Sequence, residues 1–84
     1  MDTERYSRDD IEEWLVKKVA ELTQTPEEEI DAEEPFADYG MSSMDAVNLS
    51  GELEEWLGIR LSPTLVFDYP TIDQMAQYLS EEKQ

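Results

Sequence analysis

The sequence of 84 residues contains no cysteine and no histidine. Without cysteine, the chain forms no disulfide, no thiolate metal site and no cysteine nucleophile. Without histidine, it cannot build a Ser-His-Asp triad. These two absences exclude most self-contained nucleophilic and thiolate-metal chemistry within this chain.

Basic residues are scarce: 6 Lys and Arg stand against 22 Asp and Glu, which gives a net charge of −16. No base occurs between Lys18 and Arg60. Nucleic acids and anionic membranes are bound through Lys and Arg, so neither is expected as a partner. The charge favours basic protein surfaces, with association accelerated by electrostatic steering. A disordered acidic tract is the alternative, but 39% apolar residues with clear periodicity favour a folded domain.

Long apolar runs are also absent. No run approaches the ~18 residues that predict a membrane-spanning helix, and residues 1–5 lack the apolar core of a signal peptide. We therefore expect a cytoplasmic protein. The length predicts one small domain over 1–84, with its core at about 8–80 and flexible ends, too small for a deep substrate cavity. The net charge of −16 disfavours self-association, so a monomer is expected.

The apolar pattern of the first half predicts one helix and a long connection. The helix covers about Arg8–Leu22, with Ser7 and Asp10 as a capping box and Trp14 at the edge of its apolar stripe. The periodicity then lapses from residue 23 to 42, a length that is unusual in a compact domain and often functional. Within this connection, one helical turn is predicted near Pro26, and two isolated apolar residues, Ile30 and Phe36, are expected to anchor it in the core.

The second half predicts three more helices. One covers Ser43–Leu57 and ends at Gly58, a glycine placed as the residue after a helix end. A short helix over Thr64–Asp68 is expected to place Leu65, Val66 and Phe67 mostly inside. The last helix begins with Thr71 as N-cap and Gln74 as its capping-box partner. Its apolar stripe consists of Ile72, Met75, Ala76 and Leu79.

Two adjacent serines, Ser42 and Ser43, stand at the predicted start of the second long helix. If Ser42 is the N-cap, Asp45 completes a capping box, and the Ser43 hydroxyl points outward with no capping role. The positive end of the helix would favour a phosphate-linked group there. Gly40 suits the positive φ of a tight turn into the helix. The simpler alternative is that both serines only cap the helix.

Two segments resemble the acyl carrier proteins of modular polyketide synthases. Phe36–Leu49 resembles their attachment segment, F-x-x-x-G-(L/M)-(D/S)-S-(L/M)-x-A-V-x-L. Leu61–Thr71 resembles their second hallmark, L-(P/S)-x-T-L-(V/A)-F-D-(Y/H)-P-T. Peptidyl carrier proteins tend to read L-G-G-(H/D)-S-L at the attachment segment, and Tyr39–Ser43 departs from this, which favours the polyketide type.

The resemblance implies an all-α four-helix bundle with a short third helix and a long loop between helices 1 and 2. It implies that Ser43 receives 4′-phosphopantetheine from coenzyme A through a separate phosphopantetheinyl transferase, and that the arm carries acyl groups as thioesters. The chain is then a carrier and not an enzyme. Ser42 departs from the pattern, since Asp is frequent at that position, but the spacing from Gly40 and the following Met44 select Ser43.

Partners implied by the resemblance are the phosphopantetheinyl transferase, a ketosynthase, an acyltransferase or acyl-activating ligase, and other synthase enzymes with basic docking surfaces. A small apolar centre with an acidic rim on the second long helix suits such a transient interface. The predicted contact residues are Asp38, Met44, Asp45, Val47, Glu54 and Glu55.

Other functions agree less well with the sequence than a polyketide carrier does. A peptidyl carrier domain of a nonribosomal peptide synthetase shares the attachment chemistry. An acidic phosphoserine-regulated interaction domain also needs an exposed serine at a helix start, but leaves the second hallmark unexplained. A calcium-binding protein would need a D-x-(D/N)-x-(D/N)-G loop, which this sequence does not contain. A glycosidase-like pair of carboxylates would need a cleft, which a chain of this length is too small to build. The acyl group and the pathway are not encoded in any recognisable motif.

Overall fold

A computed structural model describes residues 6–81. This part of the chain contains four α-helices and no strand. The helices are α1 (Arg8–Thr23), α2 (Ser43–Leu57), α3 (Leu65–Asp68) and α4 (Ile72–Glu81). The predicted all-α fold with a short third helix is confirmed. The flexibility expected at both ends concerns residues 1–5 and 82–84, which lie outside the described range.

Local hydrogen bonds set the helix ends as the sequence predicts. The Ser7 hydroxyl accepts from the Asp10 N–H at 3.1 Å, and the Asp10 carboxylate accepts from the Ser7 N–H at 3.2 Å. At α4, the Thr71 hydroxyl accepts from the Gln74 N–H at 3.1 Å and is the N-cap as predicted, but within residues 6–81 no return bond from the Gln74 side chain completes the predicted capping box. Gly58 ends α2 in the left-handed conformation, with φ of 72°. Each N-terminal cap contributes about 1 kcal/mol to stability.

The core lies where the apolar stripes of α1, α2 and α4 meet. α1 packs mainly against α4. The buried side chains are Ile11, Leu15 and Val19 of α1, Ala46, Leu49, Leu53 and Leu57 of α2, and Ile72, Met75, Ala76 and Leu79 of α4. The α4 set is the apolar stripe predicted from helical spacing, because a period near 3.6 residues places these four side chains on one face.

The short α3 differs from the expectation. Leu65 and Val66 are buried, but Phe67 is 65% exposed, so the prediction that Phe67 lies inside is wrong. A four-residue helix turns only one side to the core, and successive residues point about 100° apart. Phe67 therefore faces away from the side that Leu65 and Val66 cover.

Aromatic stacking joins α2 to α1. The rings of Trp14 and Trp56 stack with centroids 5.0 Å apart, and Tyr6 stacks on Trp56 at 4.3 Å. Lys18 lies over the Trp14 ring and donates to Glu52 of α2 at 2.6 Å. The hydrogen bond to Glu52 raises the pKa of Lys18. Trp14 is half-buried beside the α1 stripe, as predicted.

The α1–α2 connection, residues 24–42, is held against the bundle at several points. It contains two 3-10 turns, Glu27–Glu29 near the predicted turn and Phe36–Tyr39, which the sequence did not predict. Phe36 is 1% exposed, and its N–H donates to the Pro70 carbonyl at 2.8 Å. Ala32 accepts from the Asp73 N–H at 2.8 Å, and Ile30 packs against the core. The connection is thus an ordered part of the fold.

Replacing Phe36 with alanine should lower the free energy of unfolding by about 3–5 kcal/mol, because the ring is buried and its loss leaves a cavity. Urea unfolding followed by circular dichroism measures this difference. Phe67→Ala is the matched control and should change stability by less than about 0.5 kcal/mol, because that ring is largely exposed. Equal losses for the two variants would contradict the assignment of Phe36 as the anchor.

Candidate functional site

The two serines lie where the connection turns into α2. Gly40 ends the second 3-10 turn with φ of 77° and ψ of 24°, the left-handed conformation expected from its position. Its N–H donates to the Ala37 carbonyl at 3.1 Å. A side chain at this φ would be strained, so glycine fits the turn that leads to Ser42.

The two serine hydroxyls have different roles. The Ser42 hydroxyl accepts from the Asp45 N–H at 3.1 Å, and the Asp45 carboxylate accepts from the Ser42 N–H at 3.2 Å. Ser42 is therefore the N-cap in a complete capping box, as predicted. Ser43 is the first residue of α2 and is exposed, and its hydroxyl makes no hydrogen bond within residues 6–81. Ser43 is the free hydroxyl of the pair.

Tyr39 fastens the segment just before the serines, a role that no pattern in the sequence indicates. Its hydroxyl accepts from the Asp31 N–H at 2.6 Å and donates to the Asp31 carbonyl at 3.1 Å. The ring packs against the core. Burial raises the pKa of the Tyr39 phenol. One side chain thus ties the end of the second 3-10 turn to the middle of the connection.

An apolar groove of about 190 Å³ opens beside Ser43. Its walls come from the connection, α2 and α3, and include Phe36, Met41, Ser43, Ala46, Val66 and Phe67. Phe67 is the exposed side chain that was predicted inside, so an apolar surface borders the free hydroxyl on the side of α3. The sequence offered no signal for this, because the burial of a four-residue helix depends on tertiary packing.

The predicted contact residues fall into two groups. Met44 and Val47 are 74% and 51% exposed, and Asp38 and Glu55 are exposed as well, so these four are accessible beside the serines and along α2. Asp45 and Glu54 instead make hydrogen bonds to the backbone. Asp45 belongs to the capping box, and the Glu54 carboxylate accepts from the Leu61 N–H at 2.9 Å and so holds the α2–α3 connection.

Within residues 6–81, no group of three or more carboxylates is placed to hold a metal ion. No helix there is long and apolar enough to cross a membrane.

Known proteins resemble this chain in sequence and in fold. The family described as "Phosphopantetheine attachment site" matches residues 13–79. A phenolphthiocerol/phthiocerol polyketide synthase from Mycobacterium tuberculosis is 36% identical over 74 residues, which are 88% of this chain and 4% of that protein. Mycoketide-CoA synthase from the same species is 45% identical over 58 residues, 69% of this chain and 1% of that protein. The chain therefore spans only a small part of these relatives.

Solved structures of carrier proteins have the same fold as this chain. A free-standing peptidyl carrier protein from Acinetobacter baumannii superposes with a TM-score of 0.88 at 36% identity, covering 93% of this chain and 98% of that one. An acyl carrier protein from Anabaena with a variant phosphopantetheinylation-site sequence gives 0.82 at 43% identity, covering 96% and 93%. The four-helix fold is common to all three proteins.

The hydrogen bonds of the Tyr39 hydroxyl should make a pH-dependent contribution to the free energy of unfolding. Tyr39→Phe keeps the ring and removes both hydrogen bonds to Asp31, so it should lower the free energy of unfolding by about 1 kcal/mol at pH 7. Because the folded-state pKa is raised, the protonated phenol contributes stability below the ordinary pKa of 10.0 and loses it as the pH rises through the folded-state value. The free energies of unfolding of wild type and variant should therefore converge at alkaline pH.

Urea unfolding at a series of pH values measures that convergence. Tyr69→Phe is the matched control, because it removes a hydroxyl for which the described residues offer no hydrogen-bond partner, and it should change little. A stability difference between wild type and Tyr39→Phe that stays constant into alkali would contradict the role of the phenol proton.

Proposed function

Because the chain belongs to the family of proteins with a phosphopantetheine attachment site, we propose that it is an acyl carrier protein of polyketide biosynthesis with Ser43 as the modified residue. The family carries 4′-phosphopantetheine covalently. The resemblance to polyketide carrier proteins that the two motifs indicate is confirmed, since the matches include polyketide synthases and an acyl carrier protein. The family is non-catalytic, as expected.

The free hydroxyl of Ser43 is the observation that carries the proposal. It is exposed at the first position of α2 and unbonded within residues 6–81, while the neighbouring Ser42 hydroxyl is engaged in the cap. A phosphodiester at Ser43 would gain about 0.3–1 kcal/mol from the positive end of the helix. The residues present therefore fit the group.

When attached, 4′-phosphopantetheine supplies a thiol that holds acyl and polyketide intermediates as thioesters. The chain has no cysteine of its own. This chain's residues orient the attachment point and expose it. They offer no evident base for Ser43: histidine is absent, and the nearby Asp45 carboxylate is bonded to the Ser42 N–H. These features support modification by a separate phosphopantetheinyl transferase with coenzyme A as donor.

The surface around Ser43 supports transient docking of synthase enzymes. Met44, Val47 and Phe67 supply exposed apolar area, and Asp38 and Glu55 supply negative charge. We propose partners with basic docking surfaces: the transferase, a ketosynthase, an acyltransferase or acyl-activating ligase, and other enzymes of the pathway. A related fatty acid or hybrid pathway would use the same surface. Monomeric state and cytoplasmic localisation stay predictions.

A peptidyl carrier of nonribosomal peptide synthesis is the second candidate, favoured by the close superposition with the Acinetobacter protein. Both polyketide synthase relatives and the departure of Tyr39–Ser43 from the L-G-G-(H/D)-S-L pattern support the polyketide type. Loading the modified protein from a panel of acyl and aminoacyl donors, with the enzymes that use each, separates the two.

Incubation with coenzyme A and a phosphopantetheinyl transferase should add one phosphopantetheine to the wild type, and intact-protein mass spectrometry measures the gain. Ser43→Ala should gain none. Ser42→Ala should still be modified, although loss of its cap costs about 1 kcal/mol of stability. Modification of Ser43→Ala would reject the assignment, and a gain of phosphate alone in cells would favour the phosphoserine alternative.

Electrostatic steering predicts that the rate of this modification falls as ionic strength rises, because salt screens attraction between the acidic carrier and a basic enzyme. Asp38→Lys reverses a charge near Ser43 and should reduce kcat/KM by about tenfold at low salt. Glu28→Lys makes the same change of charge at an exposed position in the first 3-10 turn and should have a smaller effect. A rate independent of salt would remove the steering hypothesis.

A further inference from the structure

Two contacts hold the segment that leads to the serines, one at each end of the second 3-10 turn. At its start, the Phe36 ring is buried, and the Phe36 N–H donates to the Pro70 carbonyl at 2.8 Å. At its end, the Tyr39 hydroxyl bonds to the backbone of Asp31. A segment held at a single point can rotate about that point, so the contact at Tyr39 is the one that fixes the orientation of the turn.

The Tyr39 hydroxyl closes a loop of chain on Asp31, which is itself held in place. The Asp31 carbonyl accepts from the Glu34 N–H at 3.0 Å as well as from Tyr39. The next carbonyl, that of Ala32, accepts from the N–H of Asp73 in α4 at 2.8 Å. Through Tyr39, the end of the 3-10 turn is therefore connected to α4 by hydrogen bonds that do not involve Phe36.

The chain between Tyr39 and the capping serine consists of Gly40 and Met41. Gly40 has a φ of 77°, and glycine has the widest range of backbone conformations of any residue. Tyr39 restricts this freedom on one side of the glycine, and the capping box of Ser42 restricts it on the other. The orientation of Ser43, the residue after the cap, thus depends on the bond at Tyr39.

We propose that Tyr39 is a positioning residue for the modification of Ser43, because its hydroxyl holds the start of α2 in the orientation that a transferase uses. Positioning a reacting group in advance raises the rate of transfer, since less conformational freedom is lost when the reactive geometry forms. Within residues 6–81, Tyr39 makes no hydrogen bond to Ser43, and it acts through the backbone of residues 40–42. The motif F-x-x-x-G leaves position 39 unspecified. This inference rests on the proposed carrier function.

The experiment compares wild type and Tyr39→Phe as acceptors of phosphopantetheine from coenzyme A, with a phosphopantetheinyl transferase and varied carrier concentration. The variant keeps the ring and removes both bonds to Asp31. Its kcat should fall about fivefold, the factor that corresponds to one net hydrogen bond. Its KM should change by less than about twofold, because the exposed side chains that an enzyme contacts are the same in both proteins.

Ser7→Ala is the matched control for stability. The Ser7 hydroxyl accepts from the Asp10 N–H in the first turn of α1, so its loss lowers stability by a similar amount in a helix that does not carry the serines. This variant should keep the wild-type kcat and KM, because a domain that loses one cap remains folded under assay conditions.

Amide hydrogen exchange measured by NMR gives a second readout at the site itself. The N–H groups of Asp45 and Ala46 donate to Ser42 at 3.1 and 2.9 Å and are among the first bonded amides of α2. Helix ends open locally, so the exchange of these two amides follows the order of the helix start and not the global stability. Their exchange should quicken about fivefold in Tyr39→Phe and stay at the wild-type rate in Ser7→Ala.

Wild-type kcat in Tyr39→Phe would overturn the inference, as would an equal fall of kcat in Ser7→Ala. A fall of kcat in Tyr39→Phe with unchanged exchange at Asp45 and Ala46 would reject positioning through the start of α2. Failure of the carrier function itself is a different result, because the wild type would then gain no phosphopantetheine at any concentration.

Discussion

Burial of the Phe36 ring fixes the connection between α1 and α2 against the core, and the start of α2 depends on this contact. Phe36 begins the 3-10 turn that Gly40 ends, and three residues later Ser43 opens the helix. The backbone bond from Phe36 to Pro70 ties the same turn to the segment between α3 and α4. Contacts on the buried side of this segment therefore position Ser43, and its hydroxyl stays exposed to solvent.

The helices and their ends were predictable because their causes are local. Ser7, Ser42 and Thr71 each precede a helix by the spacing that a cap requires, and the apolar stripes follow the helical period. The prediction that Ser43, and not Ser42, has the free hydroxyl also rests on local features, because the Ser42 hydroxyl is used in a capping box.

The features that the sequence did not predict depend on contacts between distant segments. Tyr39 bonds to a backbone group eight residues away, and Glu54 to one seven residues away, and no periodic pattern signals either. The exposure of Phe67 depends on which side of a single helical turn meets the core. Such details arise from tertiary packing, which spacing and propensity describe poorly in irregular segments.

The aromatic stack between α1 and α2 has a practical consequence. Both tryptophans of the chain, Trp14 and Trp56, lie in it, and neither lines the groove beside Ser43. Because the two indole rings stack 5.0 Å apart, their electronic transitions should couple, and the resulting circular dichroism signal should report whether these two helices remain packed. Ultraviolet circular dichroism can thus follow the packing of α1 against α2 without any attached dye, through residues that lie outside the groove beside Ser43.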